Sequence, residues 1–192
     1  ILARLGLQPS RYVLSLGGLD ARKNQVRLVQ AFELLGHDHA DLRLVLVGGG
    51  TWREWLIRRR IEGSSARGRV VFAGFVTDED LAALLVNAGV FAYVSLNEGF
   101  GLPILEAMAA GAPVVTSRVS SMPEVAGEAA ILVDPRDSTA IARGITSALG
   151  PRREELVEAG RARAASRTWN DVAAEMLDVY DRASARARDS LG

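Results

Sequence analysis

The chain has 192 residues, 48% of them hydrophobic, and its 23 Lys plus Arg balance its 23 Asp plus Glu. That length favours one domain with a sizeable core, and zero net charge gives no electrostatic case for nucleic acid or an acidic membrane surface. Without Cys there are no disulfides or thiolate metal sites, which is compatible with a reducing compartment. No apolar run is long enough to span a membrane, and no signal peptide is recognisable. The chain begins at Ile1 rather than Met, so it is expected to be part of something longer.

Residues 1–10 read as an entry linker. Tyr12 to Leu16 is the first strand and ends in Gly17-Gly18. A turn follows, and Asn24 is placed to cap a helix carrying Val26, Leu28, Val29, Phe32 and Leu35. Leu42 to Val47 is the second strand, stopped by Gly48-Gly49-Gly50, and Trp52 to Ile61 is a helix. Arg69 to Phe72 is the third strand, followed by Gly74-Phe75-Val76. Thr77 or Asp78 caps a helix running to about Ala88. Gly89 to Val94 is the fourth strand, Ala112 to Thr116 the fifth and Ala130 to Val133 the sixth. A short helical piece follows Pro123. From Ser138 the pattern is helical, broken at Gly150-Pro151 and near Trp169.

Short apolar strands alternating with helices predict an α/β fold, a three-layer α/β/α Rossmann-like parallel six-stranded sheet with C-terminal helices. Residues 1–192 are read as a single domain, with a core over about 10–150 and a helical tail over about 151–192. In such a sheet, ligands bind beyond the carboxyl ends of the strands. The glycines and odd charges fall at those ends: Gly17, Gly18, Arg22 and Lys23, then Gly48, Gly74, Glu98 to Gly101, and Thr116 with Ser117.

The most informative stretch runs from Asn97 to Gly111. Gly99 and Gly101 allow a tight turn, Pro103 suits the first helical position and Gly111 suits the stop. The helix between is apolar apart from Glu106, which predicts burial of that carboxylate and hence a need for a partner. Free N–H groups around Phe100, Gly101 and Leu102 predict an anion site.

Other charged or aromatic features have simpler explanations. Asp78-Glu79-Asp80 resembles a D-x-D metal motif but stands where a helix starts, so capping accounts for it. His37 and His39 fall in a polar turn. Trp52 and Trp55, three apart, are expected to pack, and Arg58, Arg59 and Arg60 are expected to form a solvated face.

The residues Glu98-Gly99-Phe100-Gly101-Leu102-Pro103-Ile104-Leu105-Glu106 resemble the E-x7-E signature of retaining GT-B glycosyltransferases of family 4. Arg22-Lys23-Asn24, Phe72 to Val76, Ala112 to Val115 and Ser120 to Val125 resemble that family's blocks in order and spacing. The mannosyltransferase-like branch that builds cell-surface polysaccharides is the most similar.

The resemblance implies the donor-binding half of a hexosyltransferase, using GDP-mannose or a UDP-sugar without a cofactor or metal. It implies an acceptor half preceding Ile1, a cytoplasmic location extending to the inner face of the membrane, and peripheral membrane contact in the full-length protein. No nucleic acid partner is implied. It assigns Lys23 and Arg22 to the diphosphate, Glu98 to the sugar ring and Glu106 to the ribose hydroxyls. Amides near Gly101 and Leu102 would hold the distal phosphate, and Gly74, Phe75 and Val76 would frame the base, with Gly17, Gly18, Gly48, Gly99 and Phe100 as further donor-binding positions. Many members carry an arginine where this chain has Gly18, and Arg22 is expected to take its place. A dinucleotide oxidoreductase is disfavoured because G-x-G-x-x-G is missing after the first strand. A sugar-nucleotide epimerase and a non-catalytic nucleotide-sugar-binding module remain as alternatives.

Overall fold

The computed structural model describes residues 1–18, 20–49 and 54–189, apart from the side chains of 37, 38 and 185–189. The six apolar runs form β1 (Tyr12–Leu16), β2 (Arg43–Val47), β3 (Val70–Gly74), β4 (Val90–Tyr93), β5 (Val114–Ser117) and β6 (Ile131–Val133). They make one parallel sheet in the order β3-β2-β1-β4-β5-β6. The order reverses direction between β1 and β4, and the crevice outside that junction is where open α/β sheets bind ligands.

Alternation along the strands divides the core in two, because successive side chains leave a strand on opposite faces. Val13, Leu44, Leu46, Val90 and Ala92 pack with α2 (Gln25–Leu34), α3 (Glu54–Glu62) and α7 (Ser138–Leu149). Tyr12, Leu14, Val45, Phe91 and Val114 face α4 (Asp78–Val86), α5 (Leu102–Ala109) and α6 (Met122–Ala126). Large side chains such as Phe32, Leu14 and Phe91 are fully enclosed, each contributing about 1.5–3 kcal/mol by leaving water. The Tyr12 hydroxyl donates to the Leu84 carbonyl at 2.5 Å, which satisfies the one polar atom of that side chain.

The amino-terminal residues are more ordered than a linker. Leu2–Leu5 form a short helix, α1, and Leu7 is buried against the second half of the core. Arg4 pairs with Asp80 at 2.6 Å, and Thr77 accepts from the Asp80 N–H, so Asp78-Glu79-Asp80 opens α4 as a capped helix start. The first tail helix, α8 (Arg153–Ala165), is also part of the packed body. Arg163 donates to the carbonyls of Val125 and Glu124 at 2.9 and 2.7 Å, and Leu156 is buried. By contrast α9 (Trp169–Asp189) leaves Trp169, Met176, Leu177, Val179 and Tyr180 exposed.

Two local expectations are corrected. Asn24 precedes α2 in the left-handed region and makes no side-chain cap. Its amide instead donates to the carbonyls of Val94 and Pro135 at 3.0 and 2.7 Å, tying the β1 loop to the loops after β4 and β6. Trp55 does not pack: it is 57% exposed, with the Arg59 guanidinium 5.3 Å from its ring. Trp52 and Gly50 lie outside the described residues, as does the His37 side chain.

The strand ends at the crevice are joined backbone to backbone. The Gly17 N–H donates to Val47 and the Gly48 N–H to Gly74, both at 2.9 Å. Gly48 has φ +133°, and a Cβ there would fall 2.4 Å from the Gly17 carbonyl oxygen. Gly48→Ala should therefore cost roughly 2–4 kcal/mol, from backbone strain plus overpacking. Gly36→Ala, also at positive φ but with nothing within 4 Å, should cost only about 1 kcal/mol. Urea unfolding of both variants checks this, and equal losses would show that the Gly17–Gly48 approach carries no constraint.

Candidate active site

The β1 loop brings two cations to the crevice. After Gly17 the chain makes a single 3-10 turn over Ala21–Lys23, capped by Asp20, whose carboxylate accepts from the Lys23 N–H at 3.1 Å. The Arg22 carbonyl accepts from the Leu96 N–H at 2.8 Å, which fixes this turn to the β4 loop. The Lys23 stem lies across Gly17, where a Cβ would come within 2.8 Å of Cε. Only a residue without a side chain leaves that path open.

The β4 loop supplies the anion between them. Glu98 meets Lys23 Nζ at 2.7 Å and Arg22 Nη1 at 2.8 Å. Its side chain is 8% exposed and that of Lys23 12%, whereas Arg22 is 46% exposed. Lys23 also donates to the Tyr93 hydroxyl at 2.6 Å. The structure thus unites Arg22, Lys23 and Glu98, which lie 75 or more residues apart between the two loops.

The loop is braced from the β5 side. Ser120 donates to the Glu98 carbonyl at 2.7 Å and accepts from the Glu98 N–H at 3.2 Å, while Ser121 donates to the Phe100 carbonyl at 2.7 Å. Gly101 then caps α5 with φ 108°, and Pro103 falls one place later than the first helical position. Among the described residues the N–H groups of Gly99, Phe100, Gly101 and Leu102 have no acceptor, so they stand ready for an anion.

The structure corrects the environment of Glu106. It is exposed, with no hydrogen-bond or ion-pair partner among the described residues. Helical geometry explains this: Ile104, Ala107 and Met108 take the inward face of α5, and Glu106 falls on the opposite side. Burial gives this carboxylate no reason to seek a ligand. Phe75, at 88% exposure, leans over Gly49, where a Cβ would strike its ring at 2.2 Å. Gly18 and Val76 follow β1 and β3 at the same strand-end edge, with no side-chain polar contact there among the described residues. A separate cleft of about 450 Å³ lies beside β6, lined by Arg118, Asp134 and Arg143, two strands beyond the junction.

A family model, glycosyl transferases group 1, matches residues 3–163. The chain belongs to this glycosyltransferase family. It is 37% identical over 183 residues to O-antigen chain mannosyltransferase B of Escherichia coli, covering 94% of this chain and 48% of that protein. It is 44% identical over 117 residues to MMP alpha-(1->4)-mannosyltransferase of Mycolicibacterium hassiacum, covering 58% of this chain and 28% of that protein. Sucrose-phosphate synthase from Thermosynechococcus elongatus superposes with a TM-score of 0.82 at 31% identity, covering 96% of this chain and 48% of that one. HepE of Anabaena, solved with UDP and glucose, gives 0.81 at 23% identity, covering 96% and 51%. The fold is therefore the Rossmann-like architecture of GT-B glycosyltransferases, and the chain spans about half the length of the curated relatives it matches most fully.

In this glycosyltransferase domain, Tyr93, Ser120 and Ser121 brace the charged cluster; the two serines lie in a block that resembles the family, but none of the three was given a role from sequence. One signal could have sharpened the choice of cation. Lys23 is the only lysine in the chain, every other member of its 23 Lys plus Arg being an arginine.

Burial alone would raise the Glu98 carboxyl, but hydrogen bonds from Lys23, Ser95 and Tyr93 outweigh it and hold the group below its ordinary value of 4.5. Burial would lower Lys23, and its bonds to Glu98 and Tyr93 reverse that, raising it above 10.5. A depressed carboxyl stabilises the fold above its unfolded value and loses that contribution as pH falls through the folded value. The stability gap between the wild-type chain and Glu98→Gln should therefore be full near neutrality and shrink below about pH 4.5. Because a raised amine contributes only below its folded value, the gap should also narrow above about pH 10.5. Denaturant titrations across pH test this, and a gap that stays constant into acid would refute the ion-pair assignment.

Proposed function

We propose that this domain is the donor-binding, carboxyl-terminal half of a retaining glycosyltransferase. It would transfer a mannose- or glucose-type hexose from a nucleotide diphosphate sugar to a glycan or lipid-linked acceptor on the cytoplasmic side of a membrane. The carrying observation is the meeting of Lys23 and Arg22 on Glu98 at the β1–β4 junction, in the loop that leads into amides at the start of α5 with no acceptor among the described residues. The names of the mannosyltransferase relatives support the sugar class.

Rupture of a bond between sugar and diphosphate places growing negative charge on the leaving oxygen. Fixed cations and helix N–H groups stabilise that charge where it develops, and the proton of the acceptor hydroxyl leaves with the nucleoside diphosphate or to solvent. In this reading Lys23 and Arg22 exchange Glu98 for the diphosphate, and the amides of Gly99 to Leu102 take its distal phosphate. Glu98, released from both cations, turns to the hydroxyls of the sugar. The solvent-facing Glu106 accepts from the ribose, a role that rests on the family resemblance. Phe75, Gly74 and Val76 border the base. The amino-terminal half would supply the acceptor, so the 192-residue chain should bind donor weakly and transfer no sugar. Radiolabelled transfer by the purified chain would contradict that division of labour.

Calorimetry with GDP, UDP and ADP, with a chelator present, tests the nucleotide reading and metal independence together. Lys23→Ala should weaken nucleoside diphosphate binding far more than binding of the bare nucleoside. Equal loss for both would reject the diphosphate role. Glu106→Ala should cost about 1.5–3 kcal/mol on nucleoside and nucleoside diphosphate alike. Unchanged affinity would remove Glu106 from the ribose site.

A further inference from the structure

Lys23 is held at three points. Its N–H is capped by Asp20, its stem runs over the bare Cα of Gly17, and its ammonium donates to Tyr93 as well as Glu98. Two of the three would survive the arrival of a ligand that draws Glu98 away, but they act on the backbone and the stem. At the ammonium itself, Tyr93 is the partner that stays.

Tyr93 is built to stay. It is 2% exposed and stacks on Phe91 with centroids 5.9 Å apart and planes 14° from parallel. It pairs with Thr116 in the sheet, and the Thr116 hydroxyl donates to its carbonyl at 2.8 Å. Lys23 Nζ stands 2.6 Å from its hydroxyl and 4.7 Å from its ring centroid. Burial raises the phenol, which keeps it un-ionised despite the adjacent ammonium. A neutral acceptor orients a cation without competing for its charge, unlike a second carboxylate.

We propose that Tyr93 is a positioning residue for Lys23, its phenol oxygen a fixed neutral acceptor that keeps the ammonium at the mouth of the crevice whether the anion beside it is Glu98 or a bound phosphate. The phosphate half of this statement rests on the donor-site reading above, and the ligand-free half does not. The use of lysine at this one position agrees with it, since the narrow path across Gly17 and a single phenol oxygen suit a compact ammonium better than a planar guanidinium.

Tyr93→Phe tests the proposal while keeping the stacked ring. With one lysine in the chain, ¹⁵N-lysine labelling gives a single side-chain ammonium signal. Without ligand, loss of the phenol oxygen should speed hydrogen exchange of that ammonium by about ten-fold, the equivalent of one charge-assisted hydrogen bond. Affinity for a nucleoside diphosphate should fall by a similar factor, that for the bare nucleoside should hold, and a Lys23→Ala background should abolish the effect. An ammonium signal unmoved by Tyr93→Phe overturns the proposal, as does a diphosphate loss that recurs in full without Lys23. If the wild-type chain bound no nucleoside diphosphate, the donor reading would fail and the ammonium signal would still decide the role of Tyr93.

Discussion

One carboxylate shared by two cations holds the functional edge of this domain together. Glu98 belongs to the loop after β4, and Arg22 and Lys23 to the turn after β1. The two strands are neighbours only because the sheet changes direction between them. At 8% side-chain exposure the Glu98 charge needs its partners, because an isolated carboxylate there would be protonated. The ion pairs therefore close the seam between the two halves of the sheet when no ligand is present. The same contact marks where an anion is welcome.

The surroundings of that contact are arranged to hold still. Serines from the β5 loop bind the backbone of Glu98 and Phe100. The Asn24 amide reaches from the β1 loop to the carbonyls of Val94 and Pro135. Gly48 lets neighbouring strand ends approach closely enough for backbone hydrogen bonds beyond the sheet proper, and Gly17 leaves room for the Lys23 stem. Short loops on a rigid parallel sheet position charge accurately.

The charges on the crevice differ in how firmly they are fixed. Lys23 and Glu98 are largely withdrawn from water, whereas Arg22 is half-exposed and Glu106 stands free. Tyr93 separates the two classes: it anchors the buried cation from within the core, through a ring stacked on Phe91.

Much of this was readable along the chain. Strands such as Tyr12 to Leu16 are nearly continuous apolar runs because both faces of a parallel sheet are covered, and that pattern needs no knowledge of partners. The glycines and charges at the strand ends likewise fall on the edge where open α/β sheets bind ligands, and the blocks from Arg22 to Val125 identified the family. Other features depended on which elements meet in space. Glu106 sits in an apolar segment, but the segment's helical phase turns it to solvent, since only Ile104, Ala107 and Met108 face inward. Asn24 looks like a cap until two carbonyls from distant loops claim its amide. Tyr93 reads as one more strand residue until folding sets its hydroxyl beside an ammonium 70 positions away. Periodicity and turn chemistry are local and can be seen in sequence. The direction a side chain takes, and the group it finds there, follow from long-range packing that no local pattern encodes.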